Sequence, residues 1–216
     1  MARPRLHDDA LRERLLNAAT EAIARQGDDF ALRPLAEAVG TSTTAVYSLF
    51  GSRGALVEAV TLRVTSRYGD LLGRIQHEDP IDALEAAAVA YRSFSQKHTP
   101  IFNILFHGGL NSEQMSKALV FGQDWTTERV TRLVDDGILE GTPRLIALSL
   151  TAAVHGFIEL ELTGDSPADG GIDARYVDHF HRIFLGWATA KGREVHGDRY
   201  TREPSDIEAL FADVLN

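Results

Sequence analysis

Between residues 11 and 50 apolar side chains return every three or four positions, and each run stops at a glycine. Leu11, Leu15, Ala18, Ala19, Ala22 and Ile23 form one stripe that ends at Gly27. Leu35, Ala36 and Val39 form a second that ends at Gly40, and Val46 and Phe50 lie four apart before Gly51. This spacing is one face of an α-helix, and glycine readily takes the left-handed turn that ends one. It predicts helices over 8–26 and 32–39, and a third after Ser42, whose hydroxyl is placed to accept a backbone N–H of the new first turn. Pro34 fits, because a first turn has no hydrogen bond for proline to remove. With Val46 and Phe50 turned inward, Thr43, Thr44, Tyr47 and Ser48 fall on the opposite face.

The helical period continues downstream. Gly51-Ser52-Arg53-Gly54 interrupts it, and Ser52 is placed to cap a long helix carrying Leu56, Val57, Val60, Val64 and Leu71. Further helices are expected over 81–97, over 111–136 in one or two pieces, over 143–163, over 172–191 and over 204–215. An aromatic segment, 99–106, a Gly108-Gly109 break and a polar loop, 164–171, lie between them. There is neither a run of strand alternation nor a repeat of fixed period, so the fold class is all-α. With 216 residues, 44% of them apolar, the chain has enough to bury a substantial core.

Several chemistries are excluded by what the chain lacks. Without cysteine there is no disulfide, thiolate zinc site or cysteine nucleophile. No Gly-x-Ser-x-Gly elbow, phosphate-cradling Gly-rich Lys motif, dinucleotide fingerprint or Glu-x-x-His pair occurs, so no catalytic residue, metal ligand or cofactor is expected. His179 and His181, two apart, would point to different sides of a helix. The charge-free stretch from 145 to 158 is too short and too interrupted by Ser149, Thr151 and His155 to span a bilayer. The charged N-terminus has no secretory apolar run, which points to a cytoplasmic protein. A net charge of −9 argues against coating nucleic acid by bulk basicity, yet residues 1–60 carry only −1 of it.

The short helix, glycine turn and second short helix between 32 and 50 have the helix-turn-helix layout, in which the first helix braces a second that enters the major groove. Leu35-Ala36, Gly40-x-Ser42, Tyr47-x-x-Phe50 and Ser52-Arg53-x-x-Leu56, with a helix upstream and a long helix downstream, resemble the TetR family of transcriptional regulators over about residues 10–60. Val154-His155-Gly156-Phe157 is similar, more loosely, to a TetR-like C-terminal domain of the Trp-His-Gly type, with Thr151 near the place of the tryptophan. The resemblance implies a homodimeric DNA-binding protein, usually a repressor. Its head, 1–53, would read a palindromic operator, and a helical domain, 54–216, would dimerise and bind a small-molecule effector. The implied dimer surface is a four-helix bundle of 143–163 and 172–191, to which Tyr176, Phe180 and Trp187 would contribute.

On the matching positions Ser42, Thr43, Thr44, Tyr47 and Ser48 would face DNA, with Tyr47 and Arg53 offered to phosphates. Arg33, the one nearby side chain able to grip guanine O6 and N7 with two bonds, is the candidate for sequence readout. Arg3 and Arg5 could serve as an arm to a minor groove or phosphate. Leu49, Ala31 and Pro34 depart from the family pattern, and the alternative for the hydroxyl face is a merely solvated helix. Tyr91, Phe94, His98, Phe102, Leu105, Phe106, Phe121, Trp125, His155 and Phe157 are candidates for lining an apolar effector pocket, with ordinary core as the alternative for each. An anionic effector would need an arginine such as Arg92 or Arg129, and Glu128 and Arg129 read as solvated. The rival functions are an activating or ligand-independent regulator, a helical enzyme and a protein-interaction module.

Overall fold

A computed structural model describes residues 5–107, 113–164 and 174–212, and the side chains of 8–107 except 28, 122–164 and 174–212. The described residues form eleven α-helices: α1 Arg5–Gln26, α2 Leu32–Ala38, α3 Thr43–Phe50, α4 Arg53–Arg74, α5 Pro80–Lys97, α6 Thr99–His107, α7 Glu113–Asp135, α8 Pro143–Leu162, α9 Ala174–Gly186, α10 Ala190–His196 and α11 Pro204–Leu210. Their one β-type pairing is an isolated antiparallel bridge between Leu139 and Ala188, so the fold is all-α as expected. The chain packs as two compact units, one of residues 1–67 and 98–118, the other of 68–97 and 119–216, with the boundary inside α4.

In the first unit α1 packs on α2, α3 and α6. Leu15, Leu16, Ala19 and Ile23 are buried, as are Leu35, Ala36 and Val46. Gly40 and Gly51 sit at φ +70° and +82°, where a side chain would strain the backbone. Ser42 and Ser52 cap as their positions predict, accepting the N–H groups of Ala45 at 3.3 Å and Ala55 at 3.0 Å. Arg63 donates to Thr20 Oγ1 at 2.9 Å and to Glu13 at 3.3 Å, tying α4 to α1. The aromatic segment after Thr99 is itself a helix, α6, with Pro100 in its first turn and Ile101, Phe102 and Ile104 buried.

In the second unit α5 is buried on almost every side from Ile81 to Ala90, because Ala83, Ala86, Ala87, Ala88 and Ala90 let α8 and α9 approach closely. Arg92 is also buried and donates from Nε and Nη2 to the two oxygens of Glu161, both at 2.8 Å. Tyr176 packs under the same guanidinium at 5.7 Å and donates its hydroxyl to the Ala88 carbonyl at 2.7 Å. Arg92 is therefore neutralised within the core and is not free to receive an anionic effector. Tyr176 and Phe180 are buried inside the protomer, a correction to their expected place on a dimer surface. At 20 residues α8 is long and apolar enough to cross a membrane, so length does not exclude it as the sequence argument held. Instead, Val154, Ile158 and Glu161 turn into the core, while Leu145, Leu148 and Leu160 are 52%, 55% and 54% exposed.

The single helix expected over 172–191 is broken at Trp187 and Ala188. The Glu140 N–H donates to the Trp187 carbonyl at 2.9 Å and the Thr189 N–H to the Ile138 carbonyl at 3.0 Å, contacts that need extended backbone. Thr189 then caps α10 by accepting the Gly192 N–H at 3.0 Å. A Cβ on Gly192 would lie 2.0 Å from the Ile138 carbonyl oxygen, so only glycine fits there. The last helix ends earlier than its apolar pattern suggested, at Leu210, with Ile207 and Phe211 fully buried; Val214 lies outside the described residues.

A polar seam joins α5 to the chain after α9. Arg199 pairs with Asp79 at 2.5 Å and with Asp82 at 3.0 Å, while Arg202 pairs with Asp82 at 3.0 Å and Glu85 at 2.7 Å. Behind them His181 and His196 are fully buried, with His181 Nε2 3.5 Å from Glu85 Oε1. The Gly197 carbonyl, 3.2 Å from His196 Nδ1, can only accept, so that nitrogen carries a proton. His196 Nε2 then accepts from His181 Nδ1 at 3.0 Å. Burial lowers the His196 pKa from its ordinary 6.5, and the charges of His181 and Arg199 lower it further against the Gly197 carbonyl and Glu85. Burial alone would raise Asp82, but hydrogen bonds and charge from Arg199 and Arg202 hold it below 3.8.

Two consequences can be measured. Arg92→Met leaves Glu161 buried and unpaired, and chemical denaturation should show a loss of about 3–5 kcal/mol that the double variant Arg92→Met/Glu161→Leu largely restores. Because the folded-state pKa of His196 is depressed, its neutral form contributes stability above pH 6.5 that is lost as pH falls below it. The melting temperature should therefore decline between pH 7.5 and 5.5, with a shallower slope in His196→Gln; equal slopes would assign the decline to another group.

Candidate nucleic-acid interface and aromatic cluster

The α3 side chains divide as their spacing requires. Val46 is buried, whereas Thr44, Tyr47 and Ser48 are exposed and Thr43 is half-buried. Tyr47, 51% exposed, presents its hydroxyl to solvent beside two short hydroxyl side chains. A face of this kind can hydrogen-bond phosphates and base edges and can set threonine methyls against thymine methyls. The Ser42 hydroxyl is occupied as the helix cap.

Arg33 projects from the first turn of α2 and donates from Nε to Glu37 Oε1 at 2.9 Å, with the two side chains 84% and 63% exposed. An exposed pair of this kind contributes no more than about 0.5 kcal/mol and exchanges readily for another partner. Arg53 is committed differently. It is half-buried, lies over the Phe30 ring at 4.7 Å and donates to the Phe30 carbonyl at 3.4 Å, so its stem braces the start of α4. Arg12, which the sequence reading passed over, lies over the Phe50 ring at 5.1 Å at the end of α3. Only the tertiary approach of α1 to α3 distinguishes it from other arginines on α1. Arg3 and the side chain of Arg5 lie outside the described residues.

The ten aromatic-pocket candidates are distributed over both units. His98, Phe102, Leu105 and Phe106 belong to the first unit, where the Phe102 and Phe106 rings meet at 4.7 Å, tilted by 49°. The side chain of Phe121 lies outside the described residues. In the second unit Tyr91 and Phe94 flank Tyr68, with ring centroids at 5.5 and 5.4 Å, and Tyr91 meets His155. Tyr68 was missed, although it lies four residues after Val64 on the same helical stripe. Phe157 turns away to Tyr176 and His179, at 5.4 and 5.6 Å. Trp125 is covered by the Arg129 guanidinium at 3.4 Å from the ring centroid, so Arg129 is a packed side chain rather than a solvated one.

The cluster has a defined polar end. Burial pushes the hydroxyls of Tyr68 and Tyr91 well above their usual pKa, and Tyr68 and Glu159 push Tyr91 further. Tyr91 therefore stays protonated, with its hydroxyl in hydrogen-bond contact with His155 Nδ1 at 2.9 Å, and His155 Nε2 lies 3.6 Å from Glu159 Oε1. Half-buried aromatic walls with such an end can bind a mostly apolar molecule bearing a few polar atoms. Among the described residues no group of three or more metal-ligating side chains occurs.

Comparison with known proteins gives this architecture its context. Residues 15–60 match the family "Bacterial regulatory proteins, tetR family", and residues 84–183 match "Tetracyclin repressor-like, C-terminal domain". An uncharacterized HTH-type transcriptional regulator of Mycobacterium tuberculosis is 28% identical over 192 residues, 86% of this chain and 84% of that protein. A solved protein with unknown function from Rhodococcus sp. RHA1 is 26% identical with a TM-score of 0.68, covering 83% of this chain and 96% of its own. SmeT, the repressor of the Stenotrophomonas maltophilia multidrug efflux pump SmeDEF, shares the fold at 19% identity and a TM-score of 0.65, over 83% of this chain and 91% of its own. The helix-turn-helix and the C-terminal helices thus match the same family, each in its place along the chain. The protein belongs to the TetR family of transcriptional regulators and is a DNA-binding regulator, not an enzyme.

Proposed function

We propose that this regulator is a cytoplasmic homodimeric repressor that reads a palindromic operator and is released from it by an apolar or amphipathic small molecule. The observation that carries the reading is the exposed hydroxyl face of α3 beside the exposed Arg33 fork. Residues 1–53 act as the head and 54–216 as the effector and dimerisation domain. Thr43, Thr44, Tyr47 and Ser48 meet the groove and its phosphates, Arg33 reads guanine, and Arg3, Arg5 and Arg53 contribute charge to the backbone. One α3 buries too little surface for operator affinity. Two heads spaced by about one helical turn, roughly 34–36 Å, add their contacts on a palindrome.

The exposed Leu145, Leu148 and Leu160 stripe supports a dimer through α8 and α9, since a second copy would cover it. Tyr68, Tyr91, Phe94, Trp125 and His155 are the effector-facing side chains in this reading, with the polar Tyr91-His155 end orienting the molecule. Arg92 takes no part, so a strongly anionic effector is disfavoured. Release requires the effector to bind the DNA-incompetent conformation more tightly than the competent one, because only differential affinity shifts the equilibrium.

Selection of random duplex DNA on the purified protein tests the operator reading. A palindrome bound far more tightly than scrambled DNA is expected. Arg33→Ala should weaken that duplex by about 1–3 kcal/mol and relax one guanine, whereas Tyr47→Phe should weaken all sequences evenly. No enrichment by a folded dimer would overturn it, and binding that tightens with effector would indicate an activator. Leu148→Glu should yield monomers in sedimentation at an unchanged melting temperature; an intact dimer would move the interface off α8.

A further inference from the structure

The segment from Phe30 to Ser52 contains one cation and one anion, Arg33 and Glu37, and they are bonded to each other. This pair is badly arranged to serve as a helix stabiliser. The arginine lies at the positive N-terminal end of the seven-residue α2 and the glutamate near its negative end, and Arg before Glu at i,i+4 is the weaker order. Neither side chain is buried, so packing does not require the pair either.

Its geometry fits recognition instead. Glu37 accepts from Nε, so the edge formed by Nη1 and Nη2 has no partner among the described residues. That edge is the two-donor fork able to meet guanine O6 and N7 together. A long arginine held at its stem meets a base with fewer conformations to lose than a free one. The carboxylate also repels phosphate, which penalises docking on the DNA backbone without a base contact.

We propose that Glu37 is a specificity-determining positioning residue for operator recognition: it holds the Arg33 fork toward guanine and disfavours binding through phosphates alone. This rests on the operator reading above. It places discrimination in a pair rather than in one arginine. The otherwise uncharged face of the reading helices then allows one carboxylate to set the balance between specific and non-specific DNA.

The test uses the full-length protein, the duplex enriched by selection, a scrambled duplex, and a third in which 7-deazaguanine replaces the guanine that Arg33→Ala relaxes. Dissociation constants are measured from 50 to 200 mM salt. Glu37→Gln should bind scrambled DNA several-fold more tightly, and its selected-to-scrambled ratio should fall by roughly tenfold, on the scale of one bidentate contact. The penalty for 7-deazaguanine should shrink with it, at an unchanged melting temperature. In an Arg33→Ala background the same change should still tighten scrambled binding but leave the ratio where it was. Equal tightening on both duplexes would mean Glu37 acts only as bulk charge and would overturn the proposal, as would an unchanged affinity for scrambled DNA. A wild-type protein that does not discriminate at all would overturn the operator reading first, which distinguishes the two failures.

Discussion

The pairing of Arg92 with Glu161 is the contact on which the second unit depends. A guanidinium and a carboxylate removed from water are each costly alone, and here the cost is met by two parallel hydrogen bonds between α5 and α8 with the Tyr176 ring beneath. Fixing Glu161 inward also fixes the rotation of α8. Val154 and Ile158, seven and three residues before it, enter the core, and His155 and Glu159, one helical position on, turn toward Tyr91. The leucines of the remaining face are left in solvent. One ion pair therefore decides which face of an apolar helix is core, which meets the aromatic cluster and which awaits a partner.

The first unit works under a different constraint. Its reading helices are almost without charge, so their attraction to DNA is short-ranged and made of hydroxyls, methyls and one paired arginine. Long-range attraction has to come from arginines outside α2 and α3, on a chain of net charge −9. A head built this way depends on fit more than on charge, a sensible balance for a regulator that must find few sites among many.

Much of this was legible in the chain. Glycine-terminated apolar stripes marked α1 to α3 to within a few residues, since amphipathic spacing and serine caps are local signals. The hydroxyl face of α3 followed from that same spacing. Other elements were not legible for identifiable reasons. The break between α9 and α10 depends on Ile138 and Glu140, about fifty residues away, so the local pattern of 172–191 continues straight through it. Arg92 looked available because nothing local announces Glu161 sixty-nine residues on, whereas the cover of Trp125 by Arg129, four residues apart on α7, was within reach of helical spacing and was overlooked. Tyr68 went unnoticed because an aromatic on a helical stripe reads as core until its neighbours are known.

The sequence by itself determined the helical class, the helix-turn-helix, its solvent-facing hydroxyls and the family, because each is written in spacings of three, four and a glycine. Tertiary structure alone decided which charges are spent in pairs, which aromatics meet and which apolar face remains uncovered. Those outcomes depend on residues far apart in the chain that share one desolvated space, and desolvation, unlike helical period, leaves no mark on a local stretch of sequence.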